Sequence, residues 1–203
     1  RRGTSRPGLL DALAAPFLGD DPEPSDAVRT KVLVVGYVLL LFMSLKAVGS
    51  HAVTGSPLLV GWYLCSSVLA VVLAVLFHRD RNLERASRLL LGLIFVSTTI
   101  STIYTGGLRA TNVTPYYMLL VGSVFLLGRR GFPWMVVALA IPLGFEALTE
   151  LGVSFPDAHP TEARHGDAFY TWFVSAIVLA LLTWAYETAR AHASARMEEA
   201  ART

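Results

Sequence analysis

Residues 58–77 read LLVGWYLCSSVLAVVLAVLF, twenty residues without a charged side chain. At about 1.5 Å per residue, a helix of this length crosses the roughly 30 Å of hydrocarbon in a bilayer. A helix is suited to that environment because it satisfies its backbone hydrogen bonds within itself. The stretch therefore predicts a helical membrane protein.

Five further segments approach the same length and apolar character. They cover residues 32–48, 89–104, 116–127, 132–148 and 169–185. Composition agrees with them, since 54% of the 203 residues are hydrophobic and 16% are charged, against about 25% charged in soluble domains. This composition excludes an ordinary water-soluble enzyme. The fold class we predict is all-α, a polytopic bundle of six transmembrane helices.

Proline and glycine mark the ends of these segments. Ser56-Pro57 and Thr114-Pro115 each place a capping hydroxyl before a proline at the first helical position, where the missing N–H of proline costs nothing. Gly106-Gly107 and Gly128 supply positions where a helix can end. Because Gly131-Phe132-Pro133 restarts the chain a few residues later, the pattern predicts tight antiparallel hairpins.

The distribution of basic residues predicts the orientation. Five precede the first segment, four lie between the second and third, two lie between the fourth and fifth, and three follow the sixth. The other side holds only Lys46, Arg109 and Arg164. Under the positive-inside rule, both termini are cytoplasmic.

The residues outside the segments predict two cytoplasmic extensions around a membrane domain of residues 25–185. In residues 1–24, the apolar group at 9–18 favours an interfacial or bundle-docking segment, with a solvated tail as the alternative. Residues 186–203 contain no glycine or proline, so the last helix should continue into the cytoplasm. Their apolar spacing also fits a seam with a second copy of the chain, or a solvated connector.

Hydroxyl side chains form a polar stripe on the third segment. Ser97/Ser101 and Thr98/Thr102 have the spacing that allows close helix approach and interhelical hydrogen bonds. Two interpretations stay open. The stripe contributes to a ligand site, or it serves helix packing without any ligand, since such hydroxyls can also be satisfied by carbonyls of their own helix. The members of the stripe are Ser97, Thr98, Thr99, Ser101, Thr102 and Thr105.

Glu146 is an acid within the fifth segment, shortly after Pro142. An ionised acid in a span costs about 3 kcal/mol, so we expect it to face the bundle interior, to be protonated or to be paired. Glu150 lies one turn further along and would share its stripe. The pair would line a proton or cation path, or Glu146 would be a neutral or hydrogen-bonded acid near a water-filled pocket.

Aromatic side chains gather at the predicted outer helix ends, where they serve as interfacial anchors or, if turned inward, as walls of a small apolar pocket. Trp134 and Trp184 are predicted as anchors at the inner interface, and Cys65 as a core residue rather than a reactive thiol. The outer aromatic residues are Trp62, Tyr63, Tyr104, Tyr116, Tyr117, Tyr170 and Trp172.

The sequence lacks the patterns of catalysis and cofactor binding. It contains no Gly-rich phosphate loop, HExxH, GxSxG or CxxC, and we predict no cofactor and no catalytic residue. The external His159 and His165 match no compact metal-site spacing, so no metal site is predicted. The nearly balanced net charge of +2 gives no indication of nucleic-acid binding.

Four motifs, taken together, resemble the six-transmembrane sensory input domains of bacterial membrane receptors of the histidine kinase, diguanylate cyclase or adenylate cyclase type. They are Tyr104-Thr105-Gly106-Gly107-Leu108, Leu126-Leu127-Gly128-Arg129-Arg130-Gly131, Phe145-Glu146-Ala147-Leu148 with Gly152, and Tyr186-Glu187-Thr188-Ala189-Arg190. The resemblance implies a homodimeric receptor in the bacterial inner membrane. It would sense an external or membrane-dissolved small molecule and signal through the sixth helix to a cytoplasmic output enzyme.

On this hypothesis five positions are candidates for stimulus binding and three for coupling to the output. The alternatives are a small transporter or channel subunit with Glu146 as the coupling acid, and a scaffold that only anchors and dimerises an enzyme. The binding candidates are Thr98, Thr102, Tyr116, Glu146 and Glu150, and the coupling candidates are Tyr186, Glu187 and Arg190.

Overall fold

The computed structural model describes residues 9–18, 23–107 and 114–156, and the single residues 179, 182, 183, 186, 188 and 195. These residues form helices and connecting turns, with no β-strand among them. The predicted all-α class is confirmed for this part of the chain. The helices are α1 (Leu9–Ala14), α2 (Pro24–Thr54), α3 (Pro57–Asp80), α4 (Leu83–Tyr104), α5 (Thr114–Leu127) and α6 (Phe132–Glu150), with 3₁₀ turns at Ala15–Phe17 and Gly128–Gly131.

Four helical stretches within the described ranges are long and apolar enough to cross a membrane. They are Asp26–Val53, Pro57–Asp80, Leu83–Tyr104 and Met118–Glu150, the last of which contains most of α5, its following 3₁₀ turn and α6. This finding supports the coarse prediction of a helical membrane protein. Of the sixth predicted segment, residues 169–185, only positions 179, 182 and 183 are described.

Two helices begin earlier than the apolar segments predict. α2 starts at Pro24 rather than residue 32, and α4 starts at Leu83 rather than residue 89. The start of α4 is fixed by Asn82, whose Oδ1 accepts a hydrogen bond from the backbone N–H of Arg85 at 3.0 Å. The added turns carry charged residues. Charges are tolerated there because a helix can extend beyond the hydrocarbon into the polar interface.

Neighbouring helices in the chain pack against each other and are joined by short connections. Contacts join α2 to α3, α3 to α4, α4 to α5 and α5 to α6, which makes successive helices antiparallel. We call the end with the α3–α4 and α5–α6 turns the inner end. The end with the α2–α3 turn and the last residues of α4 and α6 is the outer end.

Helix α4 lies at the centre of the described bundle, because α2, α3 and α5 all contact it. The Tyr37 hydroxyl of α2 donates a hydrogen bond to the Ala86 carbonyl of α4 at 3.2 Å. Nearby, a β-carbon placed at Gly36 would lie 2.8 Å from the Leu90 side chain. The absent side chain of Gly36 therefore permits the close approach of α2 and α4.

The N-terminal segment docks at the inner end of the bundle. Asp11 forms a 2.5 Å ion pair with Lys31 of α2, and the Pro16 carbonyl lies 2.8 Å from Nδ1 of His78 in α3. The Phe17 ring stacks on Phe77 with their centroids 5.5 Å apart. The segment thus bridges α2 and α3, as expected for a bundle-docking element.

We expect Phe17→Ala to release this segment, because it removes the aromatic contact that joins it to the apolar core. The backbone amides of residues 9–15 and 17 should then exchange hydrogen about tenfold faster. Leu9→Ala is the matched control, since the Leu9 side chain is 78% exposed. Hydrogen exchange measured by mass spectrometry checks both variants, and equal rates in the two would contradict the docking described here.

Candidate functional site: the outer groove between α3 and α4

A groove of about 500 Å³ opens between α3 and α4 near the outer end. Its walls come from the first half of α3 and the last turns of α4. The surface that they present to the groove consists almost entirely of carbon atoms. Such a surface accommodates an apolar molecule. The lining residues are Leu58, Gly61, Trp62, Cys65, Ile100, Ile103 and Tyr104.

Two small residues one turn apart on α3, Gly61 and Cys65, help to open this space. A β-carbon built at Gly61 would meet no atom within 4 Å, so the position lies beside empty volume. Cys65 is exposed, and the prediction of a core cysteine is wrong. The Cys65 side chain lines the groove because α3 turns its other face, with Ser66 and Leu59, into the bundle.

Two aromatic side chains, Trp62 and Tyr104, wall the groove on either side. The sequence left open whether such residues anchor the helix ends or turn inward to form a pocket, and these two border the groove. The indole nitrogen of Trp62 is buried and has no hydrogen-bond partner in the described part of the chain. An unpaired buried donor costs free energy, typically about 1–3 kcal/mol.

A hydrogen bond between two buried serines joins α3 and α4 beside the groove. The hydroxyls of Ser66 and Ser97 lie 3.1 Å apart, and both side chains are buried. Ser66 follows the groove residue Cys65, and Ser97 lies one turn before the groove residue Ile100. A change in the separation of α3 and α4 at the groove would therefore act directly on this polar contact.

The predicted binding residues Thr98 and Thr102 are buried, but they lie on a different face of α4 from the groove. At 3.6 residues per turn, each is about 160° around the helix from Ile100. The Thr102 hydroxyl donates to the Thr98 carbonyl at 2.8 Å, and Thr105 donates to the Ser101 carbonyl at 2.7 Å. These two hydrogen bonds lie within α4, as the interpretation of the stripe without a ligand allows, and Ser97 supplies the contact with α3.

Tyr116, a further predicted binding residue, is buried between α5 and α4 with 1% of its surface exposed. Its hydroxyl donates to the Thr99 hydroxyl at 3.0 Å. Its ring packs edge-on against Phe95 with the centroids 6.3 Å apart. Phe95 also contacts Trp134, at 6.4 Å between centroids, so Trp134 packs into the bundle instead of serving only as an interfacial anchor.

Glu146 and Glu150 are both exposed on α6. Of the three alternatives for Glu146, namely an inward orientation, protonation or pairing, the inward one does not fit its exposure. Among the described helices, α6 packs on α5 and buries Phe145 and Ala138. The structure therefore does not bring these two acids together with Thr98, Thr102 and Tyr116. A transport path lined by Glu146 gains no support from this placement.

A buried histidine at the outer end was not predicted as a site residue. His51 is 3% exposed, and its ring stacks on Tyr63 at 5.5 Å with an interplanar angle of 4°. The two rings are twelve positions apart in the sequence and lie on either side of a hairpin turn, so a pattern within a single segment does not detect the pair. Within the described ranges, no group of three or more possible metal ligands is present.

Of the predicted coupling residues, Tyr186 is helical and 58% exposed, whereas Glu187 and Arg190 lie outside the described residues. The groove thus combines two of the predicted outer aromatic residues, Trp62 and Tyr104, with small residues of α3. The hydroxyl stripe and the two acids lie elsewhere.

Comparison of the chain with protein-family models, with curated proteins and with solved structures finds no match.

Proposed function

We propose that the chain is a transmembrane sensory input module that binds a membrane-dissolved, lipophilic stimulus in the outer groove. The observation that carries this proposal is the groove itself, an apolar cavity of about 500 Å³ between two helices at one end of a helical bundle. With both termini in the cytoplasm of a bacterium, the outer end of the bundle lies in the outer leaflet of the inner membrane. A ligand dissolved in that leaflet reaches the groove from the side.

Signalling requires that the stimulus bind two arrangements of the bundle with different affinity. A molecule wedged between Trp62 and Tyr104 favours separated ends of α3 and α4. An empty groove favours closer packing, because apolar walls without contact atoms lose dispersion energy. The Ser66–Ser97 hydrogen bond, at 3.1 Å, is the polar contact that responds to this difference.

The central position of α4 gives such a change a route through the bundle. α4 is bonded to α2 through Tyr37 and Ala86, and to α5 through Tyr116 and Thr99. In the proposal, the sixth helix carries the resulting shift into the cytoplasm, where a second copy and an output enzyme receive it. The helical, exposed Tyr186 supports a sixth helix that extends beyond residue 185.

The chain offers a direct test because Cys65 is its single cysteine and lines the groove. We join residues 1–203 to a reporter kinase domain and label the protein in vesicles with N-hexadecylmaleimide, whose chain fills the groove once attached. Kinase output should change by about fivefold or more. Cys65→Ser should abolish the response, and the short N-ethylmaleimide should produce much less of it. Complete labelling with unchanged output would contradict the proposal.

Filling the groove from the protein side gives a further prediction. Gly61→Leu places a side chain in the empty volume, so the rate of Cys65 labelling by N-hexadecylmaleimide should fall by about tenfold. Gly144→Leu is the matched control, because Gly144 is also a helical glycine with no atom within 4 Å of an added β-carbon. Equal labelling rates in the two variants would show that the groove does not govern access to Cys65.

A further inference from the structure

Three exposed arginines at the inner end have no ion-pair or hydrogen-bond partner for their side chains within the described ranges. They are Arg79, in the last helical turn of α3, Arg81, directly after α3, and Arg129, in the turn between α5 and α6. Their neighbours differ from them. Arg85 pairs with Asp80 at 3.1 Å, and Arg88 pairs with Glu84 at 2.5 Å.

An ion pair holds the α3–α4 turn and the α5–α6 turn together, and the three arginines lie at these two turns. Arg130, next to Arg129, forms an ion pair with Glu84, which lies just after the α3–α4 turn. Glu84 is thereby shared between two arginines, and Asp80 is occupied by Arg85. Within the described ranges, Asp80 and Glu84 are therefore engaged, and neither of them pairs with Arg79, Arg81 or Arg129.

Apolar side chains directly adjoin this charge. Val75 and Leu76, one turn before Arg79, are 60% and 39% exposed, and Phe132, just after the α5–α6 turn, is 64% exposed. Exposed apolar helix faces of this kind are suited to lipid tails. A molecule that matches both features has an anionic head and an acyl chain.

We propose that Arg79, Arg81 and Arg129 form a binding site for the phosphate headgroup of an anionic phospholipid in the leaflet at the inner end. A single guanidinium group can donate two parallel N–H hydrogen bonds to two oxygens of one phosphate. The acyl chains of the lipid lie against the exposed side chains of α3 and α6. The inference needs only that the helices lie in a bilayer, and it is independent of the sensory role.

Native mass spectrometry of the full chain, purified with phosphatidylglycerol and phosphatidylcholine, measures whether the chain retains the anionic lipid in preference to the zwitterionic one. Arg79→Gln, Arg81→Gln and Arg129→Gln should each reduce retained phosphatidylglycerol by about threefold, and the triple variant should reduce it by more than about tenfold. Arg29→Gln is the charge-matched control, since Arg29 lies at the same end and already has Asp26 at 3.9 Å. It should change retention less than about twofold.

Three results would overturn the proposal. The first is a triple variant that remains helical and monodisperse and keeps its preference for phosphatidylglycerol. The second is an Arg29→Gln variant that loses as much phosphatidylglycerol as the cluster variants. The third is displacement of the lipid by millimolar inorganic phosphate, which would show a site for free anions instead of one that also holds the acyl chains.

Discussion

Gly131→Ala should disrupt the α5–α6 hairpin. A β-carbon at residue 131 would overlap the carbonyl oxygen of Ser123 and lie 2.6 Å from the carbonyl carbon of the same residue. These are backbone atoms of α5, so no side-chain rotation relieves the clash, and the two helices must move apart. We expect a loss of about 3 kcal/mol of unfolding free energy, the upper end for overpacking.

Controlled denaturation in mixed micelles measures this loss, with the helical circular dichroism signal as the readout. Gly144→Ala is the matched control in the same hairpin, because an added β-carbon there meets no atom within 4 Å. It should leave the unfolding free energy within about 0.5 kcal/mol of the parent. If both variants unfold alike, the turn is not packed as the structure shows it.

Tyr116→Ala should have an effect of similar size for the opposite reason, since it leaves a cavity in the core. The Tyr116 ring is 1% exposed and packs on Phe95, and truncation of such a residue costs about 3–5 kcal/mol. Tyr116→Phe keeps the ring and removes only the hydrogen bond to Thr99, so it should cost about 1 kcal/mol.

The two Tyr116 variants separate packing from ligand binding, and both unfolding and Cys65 labelling should be measured. Tyr116→Phe should leave the labelling of Cys65 in the outer groove unchanged, because Tyr116 lies between α4 and α5 and not among the groove residues. A Tyr116→Phe variant that folds normally but alters groove access would place Tyr116 in the binding site after all.

Helix positions were predictable from the sequence because lipid-length apolar runs and Pro/Gly punctuation are local properties. The runs 58–77 and 132–148 lie within α3 and α6. The starts of α2 and α4 were placed too late, because a hydropathy pattern leaves a charged first turn outside the predicted segment. Asn82, which caps α4, was the available local indication for the true start.

The site was less predictable, because sequence does not show which face of a helix its neighbours cover. Cys65 and Glu146 are both exposed, although their residue types favour burial of the first and inward orientation of the second. The contacts of α4 decide which of its hydroxyls join α3 and which join their own helix. His51 and Tyr63 meet only through the α2–α3 turn.

The proposed function requires above all that the helices cross the bilayer with the groove at the outer side. We replace Cys65 by serine and introduce Val53→Cys near the end of α2 and Arg129→Cys in the α5–α6 turn, both at exposed positions. A membrane-impermeant maleimide should label Val53→Cys in intact cells and Arg129→Cys only after permeabilisation. Labelling of both residues from the same side, or of Arg129→Cys alone in intact cells, would contradict the account.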